Sequence, residues 1–447
     1  MADQSLTRTT AVQGDHDLAS LIERRRCRVT VVGAGHVGLT LAVQVARAGL
    51  RTVAYDTNAS KVSQLNDARS YVGDVTNADL REVMEQGSFS ASGDPDVLSQ
   101  ADVIIICVPT PLNKSKHPDN SFIIQAAAAI VPRMRAPQLI VLESTTFPGF
   151  TRDVLLPKLC SSGLELDRDF FLAFSPERAD PGNHIYSTKN TPKVVGALSP
   201  TSLAIAVALY RTFIDTVIPV SSSEAAEMVK LLENTFRAVN IGLVNEIAMM
   251  CRRLGLDVWE VIAAAASKPF GFMPFHPGPG IGGHCIPVDP LLLSWKLGTL
   301  EYNARFIQLA DEVNSSMPEY VVSRVSDALN ERQKAMKGSH IMVIGVAYKR
   351  DVADIRESPA LDIITLMNRR AAVVSYHDPL VPSLTLGGWH RDSSSLDDAS
   401  ACDAAVIVTD HGSIDFSALV ERAPLVVDCR NATRDLRSTH GAKIVPL

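Results

Sequence analysis

The chain has 447 residues, of which 46% are apolar and 21% are charged. This length predicts two or three domains, and the apolar fraction excludes intrinsic disorder over most of the chain. The 43 basic and 49 acidic side chains give a formal charge of −6, so there is no basic field to attract nucleic acid or an anionic membrane. We therefore expect neither nucleic acid nor a membrane as a partner.

Residues 1–27 are polar and contain no apolar segment after a basic one, which predicts a flexible tail and no secretory signal. We accordingly expect a cytoplasmic protein. The seven cysteines are an odd number without a CxxC pair, which favours free thiols in a reducing compartment over a zinc site. Cys107 and Cys429 lie in apolar, strand-like runs and are predicted core residues.

Strand and helix signals alternate over residues 28–220. A strand (RVTVVG), a helix (HVGLTLAVQVARAG) and a second strand (RTVAYD) come first, and four short apolar runs follow, namely ADVIIICVP, PQLIVLES, FFLAFSP and KVVGA. Such alternation predicts an α/β domain with a doubly wound, mostly parallel sheet that helices cover on both faces.

Residues 221–330 have a helical pattern and begin with a long proline-free helix that ends at Gly255. A helix of that length bridges domains or forms an oligomer interface. Over residues 331–447 the α/β alternation returns, in runs such as HIMVIGVAY, AAVVSYHD and DAAVIVTD. The sequence thus predicts two Rossmann-like doubly wound domains joined by a long central helix and a small helical region.

The first strand runs into its helix through GAGHVG, which matches GxGxxG. In such a loop Gly33 makes the tight turn, Gly35 lets the backbone approach a pyrophosphate, and Gly38 lets helix and strand pack closely. The phosphates then lie at the helix N-terminus, which begins with His36 and Val37. The pattern predicts a dinucleotide site.

An acidic residue, Asp56, ends the next strand 18 residues after Gly38. A carboxylate at that position accepts hydrogen bonds from both ribose hydroxyls and repels a 2′-phosphate, which favours NAD over NADP. Asp56 could instead only cap a turn, but the complete strand–loop–helix–strand context favours the dinucleotide site.

Lys230, Asn234 and Arg237 fall on one face of the long helix because they are spaced at i, i+4 and i+7. A stripe of basic residues is most commonly a solvated face. The apolar residues on both sides, and the poor helix propensity of asparagine, favour a stripe that faces a substrate.

Cys285 lies in a glycine- and proline-rich loop, PGPGIGGHCIPVDP, before an apolar, helix-like run. Asp289 and Pro290 predict the N-cap and first residue of a helix, whose N-terminus would favour the nucleophilic thiolate of Cys285. A metal site of His276, His284 and Cys285 is the alternative, but it lacks a fourth ligand, and no metal is predicted.

From about residue 28 to 435 the chain resembles the UDP-glucose/GDP-mannose dehydrogenase family, most specifically in the loop PGPGIGGHCIPVDP. The resemblance implies an NAD-binding domain, a central helical dimerisation region and a C-terminal UDP-binding domain. It implies a homodimer or higher homo-oligomer that oxidises the C6 hydroxyl of a UDP-sugar to a carboxylate with two NAD. A thiohemiacetal and then a thioester on a cysteine connect the two oxidations.

The resemblance assigns catalytic roles to residues that match the family's motifs. Cys285 becomes the nucleophile, Lys230 and Asn234 stabilise the developing oxyanion, and Asp289 orients or activates water. The remaining catalytic residues are the acid/base Glu177, from FSPER, and the water-binding Thr145, from ESTTFPG.

Further residues are implied as ligand contacts. Thr110, Thr145 and Arg356 would border the cofactor, together with the glycine loop and Asp56. The implied substrate contacts are Glu177, Arg178, Lys230, Asn234, Arg237, Gly282, Lys349 and Arg430. Without the resemblance, Lys349 and Arg356 would pass as solvated loop charges.

The chain departs from the UDP-glucose enzymes at Pro181, Val288 and Pro269, where those enzymes commonly have glutamate, lysine and arginine. These changes resemble the N-acetylhexosamine branch. The segment KPFGFMPFHPGPG resembles the UDP-N-acetylglucosamine 6-dehydrogenases, so UDP-N-acetylglucosamine is the expected substrate, with UDP-N-acetylmannosamine and UDP-glucose as alternatives.

Two other classes of protein compete with this interpretation. A β-hydroxyacid dehydrogenase also pairs an NAD domain with a Lys-x-x-x-Asn helix, but it needs no cysteine loop and usually ends in helices. An inactive, NAD-binding regulatory relative is the second alternative. The intact set of Glu177, Lys230, Asn234, Cys285 and Asp289 argues against lost chemistry.

Overall fold

The computed structural model describes residues 18–113, 117–178, 180, 183, 185–283 and 285–447. The chain forms two compact units. The first contains the described residues up to Thr110 and those of Asp119–Lys230, and the second contains those of Pro111–Pro118 and Leu231–Leu447. The finer boundaries expected near residues 220 and 330 stay a prediction.

An eight-stranded sheet forms the centre of the first unit. Its strands are β1 (Arg28–Val32), β2 (Arg51–Tyr55), β3 (Phe89–Ser92), β4 (Val103–Ile106), β5 (Gln138–Leu142), β6 (Phe170–Phe174), β7 (Lys193–Ala197) and β8 (Val217–Pro219). Every residue of β4, β5 and β6 is buried, which explains why these strands, apart from Gln138 at the start of β5, are apolar throughout rather than alternating.

The strand order is β3-β2-β1-β4-β5-β6-β7-β8. Every neighbouring pair is parallel except β6 and β7, which are antiparallel. Residues that follow β1, β2, β4, β5 and β6 therefore share one edge of the sheet, and β7 begins at that same edge.

The helices of the first unit are α1 (Leu18–Glu23), α2 (His36–Arg47), α3 (Ala59–Asn66), α4 (Asn77–Glu85), α5 (Val97–Gln100), α6 (Ser121–Ile130), α7 (Leu156–Cys160), α8 (Pro200–Arg211) and the start of α9 (Ser223–Leu254). The presence of α1 corrects the prediction of a tail up to residue 27. Leu18 and Ile22 are one turn apart and are buried in the core of the unit, so this turn of helix is held by apolar packing. Residues 1–17 lie outside the described residues.

The long helix α9 has the predicted extent and ends before Gly255, whose φ of +71° is the left-handed conformation in which helices commonly terminate. Within the second unit it is followed by α10 (Val258–Ala266), α11 (Asp289–Gly298) and α12 (Arg305–Asn330). Gly242 of α9 allows α12 to approach closely, since a Cβ there would lie 3.2 Å from Ala310 Cα.

A second parallel sheet follows in chain order. Its region comprises β9 (His340–Ile344), α13 (Pro359–Arg369), β10 (Val373–His377), the hairpin β11 (Ser383–Leu386) and β12 (Trp389–Asp392), β13 (Ala404–Ile407), α14 (Phe416–Arg422), β14 (Val426–Asp428), α15 (Arg437–His440) and β15 (Ile444–Pro446). The five-stranded sheet has the order β10-β9-β13-β14-β15 and all of its pairs are parallel. The predicted fold class, two α/β parts with a helical region between them in sequence, is confirmed.

None of the seven cysteines, all of which the structure describes, forms a disulfide bond. Cys107 and Cys429 are buried core residues as predicted. Within the described part of the chain, no helix has the length and apolar character needed to cross a membrane.

One buried carboxyl group joins α9 to the segment before α7. Glu227 is fully buried, and its carboxyl oxygens accept hydrogen bonds from the Gly149 amide at 2.6 Å and from the amide and hydroxyl of Thr151 at 2.9 and 2.6 Å. Burial, against the lowering effect of these bonds, raises the pKa of Glu227 to about 7.

This pKa predicts a pH-dependent stability. The folded chain keeps the Glu227 proton up to pH about 7, whereas the unfolded chain loses it near the ordinary value of 4.5. The free energy of unfolding should therefore fall by about 3 kcal/mol as pH rises between these values. Denaturant unfolding as a function of pH should show that Glu227→Gln removes this slope, whereas Glu260→Gln, at an exposed position on α10, retains it. An unchanged slope in Glu227→Gln would contradict the assignment.

Candidate active site

The glycine loop after β1 has the geometry that its sequence predicts. Gly33 has a φ of +96°, and a Cβ there would lie 2.7 Å from the Cys107 carbonyl oxygen. A Cβ on Gly38 would lie 1.8 Å from the Gly33 carbonyl oxygen. Among the described residues nothing lies within 4 Å of a Cβ built on Gly35, so this glycine faces open space at the start of α2. His36 and Val37 form the first turn of that helix.

The Asp56 carboxylate lies beside this loop at the end of β2. Its Oδ2 accepts a hydrogen bond from the Ala34 amide at 2.9 Å and lies 3.3 Å from Lys61 Nζ, while its Oδ1 accepts one from the Asn58 amide at 2.9 Å. Asp56 therefore caps the turn and also holds a carboxylate next to the open glycine position. An open helix N-terminus and an adjacent acid fit the pyrophosphate and ribose of NAD.

Two threonines follow strands at the same edge of the sheet. Thr110 comes after β4 and Thr145 after β5, and both are partly exposed. The neighbouring Thr146 is 2% exposed, and its Oγ1 has no hydrogen-bond partner among the residues that the structure describes. Sequence reasoning missed Thr146 because two consecutive threonines offer no pattern that distinguishes the buried one.

Glu177 and Lys230 meet within the first unit. Lys230 is buried on α9, and its Nζ donates a hydrogen bond to the main-chain oxygen of Glu177 at 2.6 Å. The Glu177 Oε1 accepts the amide of Arg178 at 2.8 Å, and Arg178 Nη1 donates to the Pro192 carbonyl oxygen at 2.5 Å. The glutamate is held in place at its backbone, and 15% of its side chain remains exposed. Pro181 lies outside the described residues.

Asn234 and Asp289 meet within the second unit. Both are buried, and Asp289 Oδ2 accepts a hydrogen bond from Asn234 Nδ2 at 2.5 Å. The prediction that Asp289 is the N-cap of the following helix is wrong by one residue, because Val288 occupies the cap position and Asp289 begins α11. The Asp289 carboxylate points to Asn234, which follows Lys230 by one helical turn on α9.

Cys285 lies at the turn that begins α11. Its carbonyl oxygen accepts the amides of Val288 at 3.1 Å and Asp289 at 2.8 Å, and the residue is partly exposed. Burial raises the pKa of Cys27 to about 12 and that of Cys402 to about 11, so those thiols stay protonated at neutral pH. Unlike those two residues, Cys285 is partly exposed, and it lies before a helix N-terminus.

The glycines of the cysteine loop are required by close packing. A Cβ on Gly282 would lie 2.7 Å from Tyr348 Cβ, and one on Gly278 would lie 2.7 Å from Arg430 Nη1. The Gly283 amide donates to the Arg356 main-chain oxygen at 3.1 Å. The structure therefore brings the loop of Cys285 next to three of the segments that carry predicted contacts.

The remaining predicted residues differ in their surroundings. Arg430 Nε donates to the Val408 carbonyl oxygen at 2.8 Å, and burial lowers its pKa from the ordinary value. Arg356 is exposed and pairs with Asp354, whose hydrogen bond raises the Arg356 pKa. Lys349 is partly exposed and Arg237 is exposed on α9.

The metal alternative gains no support from the geometry. Across the described residues no three His, Cys, Asp or Glu side chains are grouped so that they could hold a metal ion. His284, one of the three ligands considered, lies outside the described residues. His276 instead stacks on the Trp259 ring, with ring centres 5.8 Å apart.

Three consecutive models of the UDP-glucose/GDP-mannose dehydrogenase family match the chain: the NAD binding domain over residues 27–214, the central domain over 224–316 and the UDP binding domain over 342–435. The chain belongs to this family. Its cofactor is NAD, and its family comprises NAD-dependent UDP-sugar dehydrogenases.

Individual relatives agree with the family models. The UDP-N-acetyl-D-mannosamine dehydrogenase of Pyrococcus horikoshii is 32% identical over 91% of this chain and 96% of the relative. The UDP-N-acetyl-D-glucosamine 6-dehydrogenase of Pseudomonas aeruginosa is 34% identical over 79% of this chain and 83% of the relative. A solved structure of the UDP-D-ManNAc dehydrogenase from Pyrococcus horikoshii has a TM-score of 0.83 at 31% identity, over 91% of this chain and 96% of that one.

Two glycine variants should separate packing from NAD binding. In Gly38→Ala the new methyl group collides with the Gly33 carbonyl oxygen, so we expect weaker NAD binding and a loss of about 1–3 kcal/mol in the free energy of unfolding. In Gly35→Ala the methyl group meets open space in the protein, so NAD binding should weaken at nearly unchanged stability. Titration calorimetry with NAD and denaturant unfolding measure the two effects. Equal stability of the two variants would contradict this interpretation of the loop.

Proposed function

We propose that this chain oxidises the C6 hydroxyl of UDP-N-acetyl-D-glucosamine to the uronate in a four-electron reaction through a thioester on Cys285. The observation that carries the proposal is the position of Cys285. This cysteine is partly exposed and lies in the turn that leads into α11. The first residue of α11, Asp289, is buried and accepts a hydrogen bond from Asn234. An alcohol dehydrogenase that stops at the aldehyde needs no such nucleophile.

The first half of the reaction requires a group that supports negative charge on the C6 oxygen. Lys230 and Asn234, one turn apart on α9, are the residues we assign to this role, since an ammonium and an amide both stabilise an oxyanion. NAD, when bound, accepts the hydride of each oxidation. The Cys285 sulfur then adds to the aldehyde carbon, and loss of the second hydride converts the thiohemiacetal into a thioester.

Hydrolysis of the thioester completes the reaction. We assign Glu177 as the base that takes a proton from water while the water oxygen bonds to the thioester carbon. The C–S bond then breaks with its electron pair on Cys285, which releases the carboxylate and restores the thiolate. We propose Asp289 and Thr145 as the residues that orient this water, with Thr146 as a further candidate because its buried hydroxyl has no partner among the described residues.

The sequence departures at Val288 and Pro269 support an N-acetylhexosamine substrate. The choice of N-acetylglucosamine is supported by the segment KPFGFMPFHPGPG and by the Pseudomonas aeruginosa relative named for UDP-N-acetyl-D-glucosamine. UDP-N-acetyl-D-mannosamine is the second candidate, because a relative named for that substrate covers more of the chain. We propose Arg178, Arg237, Gly282, Lys349 and Arg430 as further substrate contacts, and Arg356 and Thr110 as cofactor contacts.

A homodimer is proposed from the surface of α9. Leu232, Phe236, Leu243, Met250 and Leu254 are each between 45% and 71% exposed. Their spacing of four, seven, seven and four residues sets them on a stripe about 40° wide, which a second copy of the helix would cover.

The substrate is tested by the yield of NADH when each UDP-sugar is limiting. We expect two NADH per UDP-N-acetyl-D-glucosamine. Two per UDP-N-acetyl-D-mannosamine and none per UDP-N-acetyl-D-glucosamine would correct the substrate and keep the mechanism. One NADH per sugar would contradict the thioester.

The nucleophile is tested by Cys285→Ser, with Cys160→Ser as the matched control because Cys160 is the other cysteine that is not buried. We expect Cys285→Ser to lose the second oxidation by at least about a thousandfold and to bind NAD normally, since hydroxyl is a far weaker nucleophile than thiolate. Full oxidation by Cys285→Ser would rule out the thioester.

The oligomeric state is tested by sedimentation velocity. Leu232→Asp places a charge in the apolar stripe and should convert a dimer to a monomer, whereas Leu300→Asp, an exposed leucine outside α9, should leave the dimer intact. A monomeric wild-type protein would contradict the proposed dimer.

A further inference from the structure

Behind Glu177 lies a cluster of ionisable side chains to which the proposed reaction assigns no role. Glu143 follows β5 and its side chain is fully buried, Lys193 begins β7 and its side chain is 5% exposed, and Tyr210 of α8 is fully buried. Burying an ammonium and a carboxylate is costly, and apolar residues of similar volume often replace such a pair without loss of stability. The location of this pair therefore calls for an explanation beyond stability.

The reversed direction of β7 explains how these residues meet. In the antiparallel pairing of β6 and β7, Ala173 lies opposite Ala197 and Phe174 lies opposite Gly196. The same register continued past the end of β6 sets Glu177 opposite Lys193. A parallel β7 would have started at the other end of the sheet. Lys193 thus reaches the edge at which Glu143 and Glu177 follow their strands.

The contacts place one ammonium between two carboxylates. Lys193 Nζ donates to Glu143 Oε2 at 2.8 Å and lies 3.7 Å from Glu177 Oε2. The Tyr210 hydroxyl donates to the other oxygen of Glu143, and the Tyr210 ring centre lies 5.4 Å from the ammonium. Burial raises the Tyr210 pKa well above its ordinary value, so this hydroxyl keeps its proton.

Lys193 is positively charged in this setting. Burial alone would lower its pKa, but the negative charges of Glu143 and Glu177 outweigh burial, and the Lys193 pKa is raised above its ordinary value. Of the two carboxylates, Glu143 is sealed in the core and Glu177 retains 15% exposure. Glu177 is therefore the partly exposed carboxylate on which the charge of Lys193 acts.

We propose that Lys193 is a positioning residue for Glu177, and that Glu143 sets how much of the Lys193 charge acts on Glu177. The inference rests on the proposed role of Glu177 in thioester hydrolysis. A positive charge 3.7 Å from Glu177 Oε2 favours the ionised carboxylate, which is the form that accepts a proton from water. The Glu143 carboxylate, which pairs with the same ammonium at 2.8 Å, limits that effect.

Other groups face Glu177 and are unchanged in the variants proposed below. Lys230 of α9 donates to the Glu177 main-chain oxygen, and Arg178 follows Glu177 in the chain and donates to the Pro192 carbonyl oxygen. The Cys107 thiol after β4 is a neutral neighbour, because burial raises its pKa well above the ordinary value.

The test follows thioester hydrolysis as a function of pH in the wild type, Lys193→Met and Glu143→Gln. NADH absorbance after rapid mixing with NAD and UDP-N-acetyl-D-glucosamine gives the two oxidations as an initial burst and hydrolysis as the linear phase. Intact mass spectrometry of acid-quenched enzyme measures the Cys285 adduct. The burst should be retained in both variants.

The two variants should move the acid side of the hydrolysis profile in opposite directions. Lys193→Met removes the favourable charge, so half of the maximal rate should be reached about one pH unit higher, with more Cys285 adduct at neutral pH. Glu143→Gln removes the opposing charge, so half of the maximal hydrolysis rate should be reached at a lower pH. Lys193→Arg keeps the charge and should return the profile to that of the wild type.

Several outcomes are decisive. Hydrolysis rates that fall in Lys193→Met without any displacement along the pH axis would overturn the inference, because a packing defect gives that result. A pH profile of hydrolysis that is displaced in Lys193→Arg as it is in Lys193→Met would also overturn the inference. If Lys193→Met does not fold, the downward displacement in Glu143→Gln decides the question alone. A wild type that forms one NADH per UDP-N-acetyl-D-glucosamine would instead contradict the proposed function.

Discussion

Parallel pairing of β1, β2, β4, β5 and β6 requires that these strands all end at one edge of the first sheet, and the candidate site residues of the first unit depend on that constraint. The residues that follow them are the glycine loop, Asp56, Thr110, Thr145 and Glu177. They are far apart in sequence, and they converge only because hydrogen bonding between parallel strands aligns the strand ends. Burial of the apolar side chains of the central strands stabilises this alignment.

The single antiparallel pair adds a residue that a purely parallel sheet could not supply. Because β7 runs back, its first residue, Lys193, enters the edge at which the other strands finish. The carboxylates of Glu143 and Glu177 lie at that edge, and the Lys193 ammonium is buried between them rather than solvated. The antiparallel direction of β7 thus places a positive charge beside Glu177.

In the second unit, close backbone approach has the corresponding role. Gly278 and Gly282 lie where a side chain would collide with Arg430 or Tyr348, so the cysteine loop packs directly on the segments around them. Asn245 Oδ1 accepts the Gly278 amide at 2.9 Å, and its Nδ2 donates to Asn314 of α12 at 2.9 Å. Cys285 is therefore held by a loop that buried hydrogen bonds attach to two long helices.

Local patterns in the sequence determined the alternation of strands and helices, the dinucleotide loop with Asp56 and the length of α9. They also determined that Cys285 lies in a glycine-rich loop before a helix. Each of these follows from residue spacing or from a turn that only glycine permits, so neighbouring residues suffice to predict it. The helix α1 was missed because two apolar residues in a polar segment are too weak a pattern. Only the tertiary structure decided that Asp289 binds Asn234 rather than capping a helix, that Thr146 is the buried threonine, and that Lys193 lies beside Glu177. These are contacts between residues distant in sequence, and they are decided by strand direction and burial, which no local spacing contains.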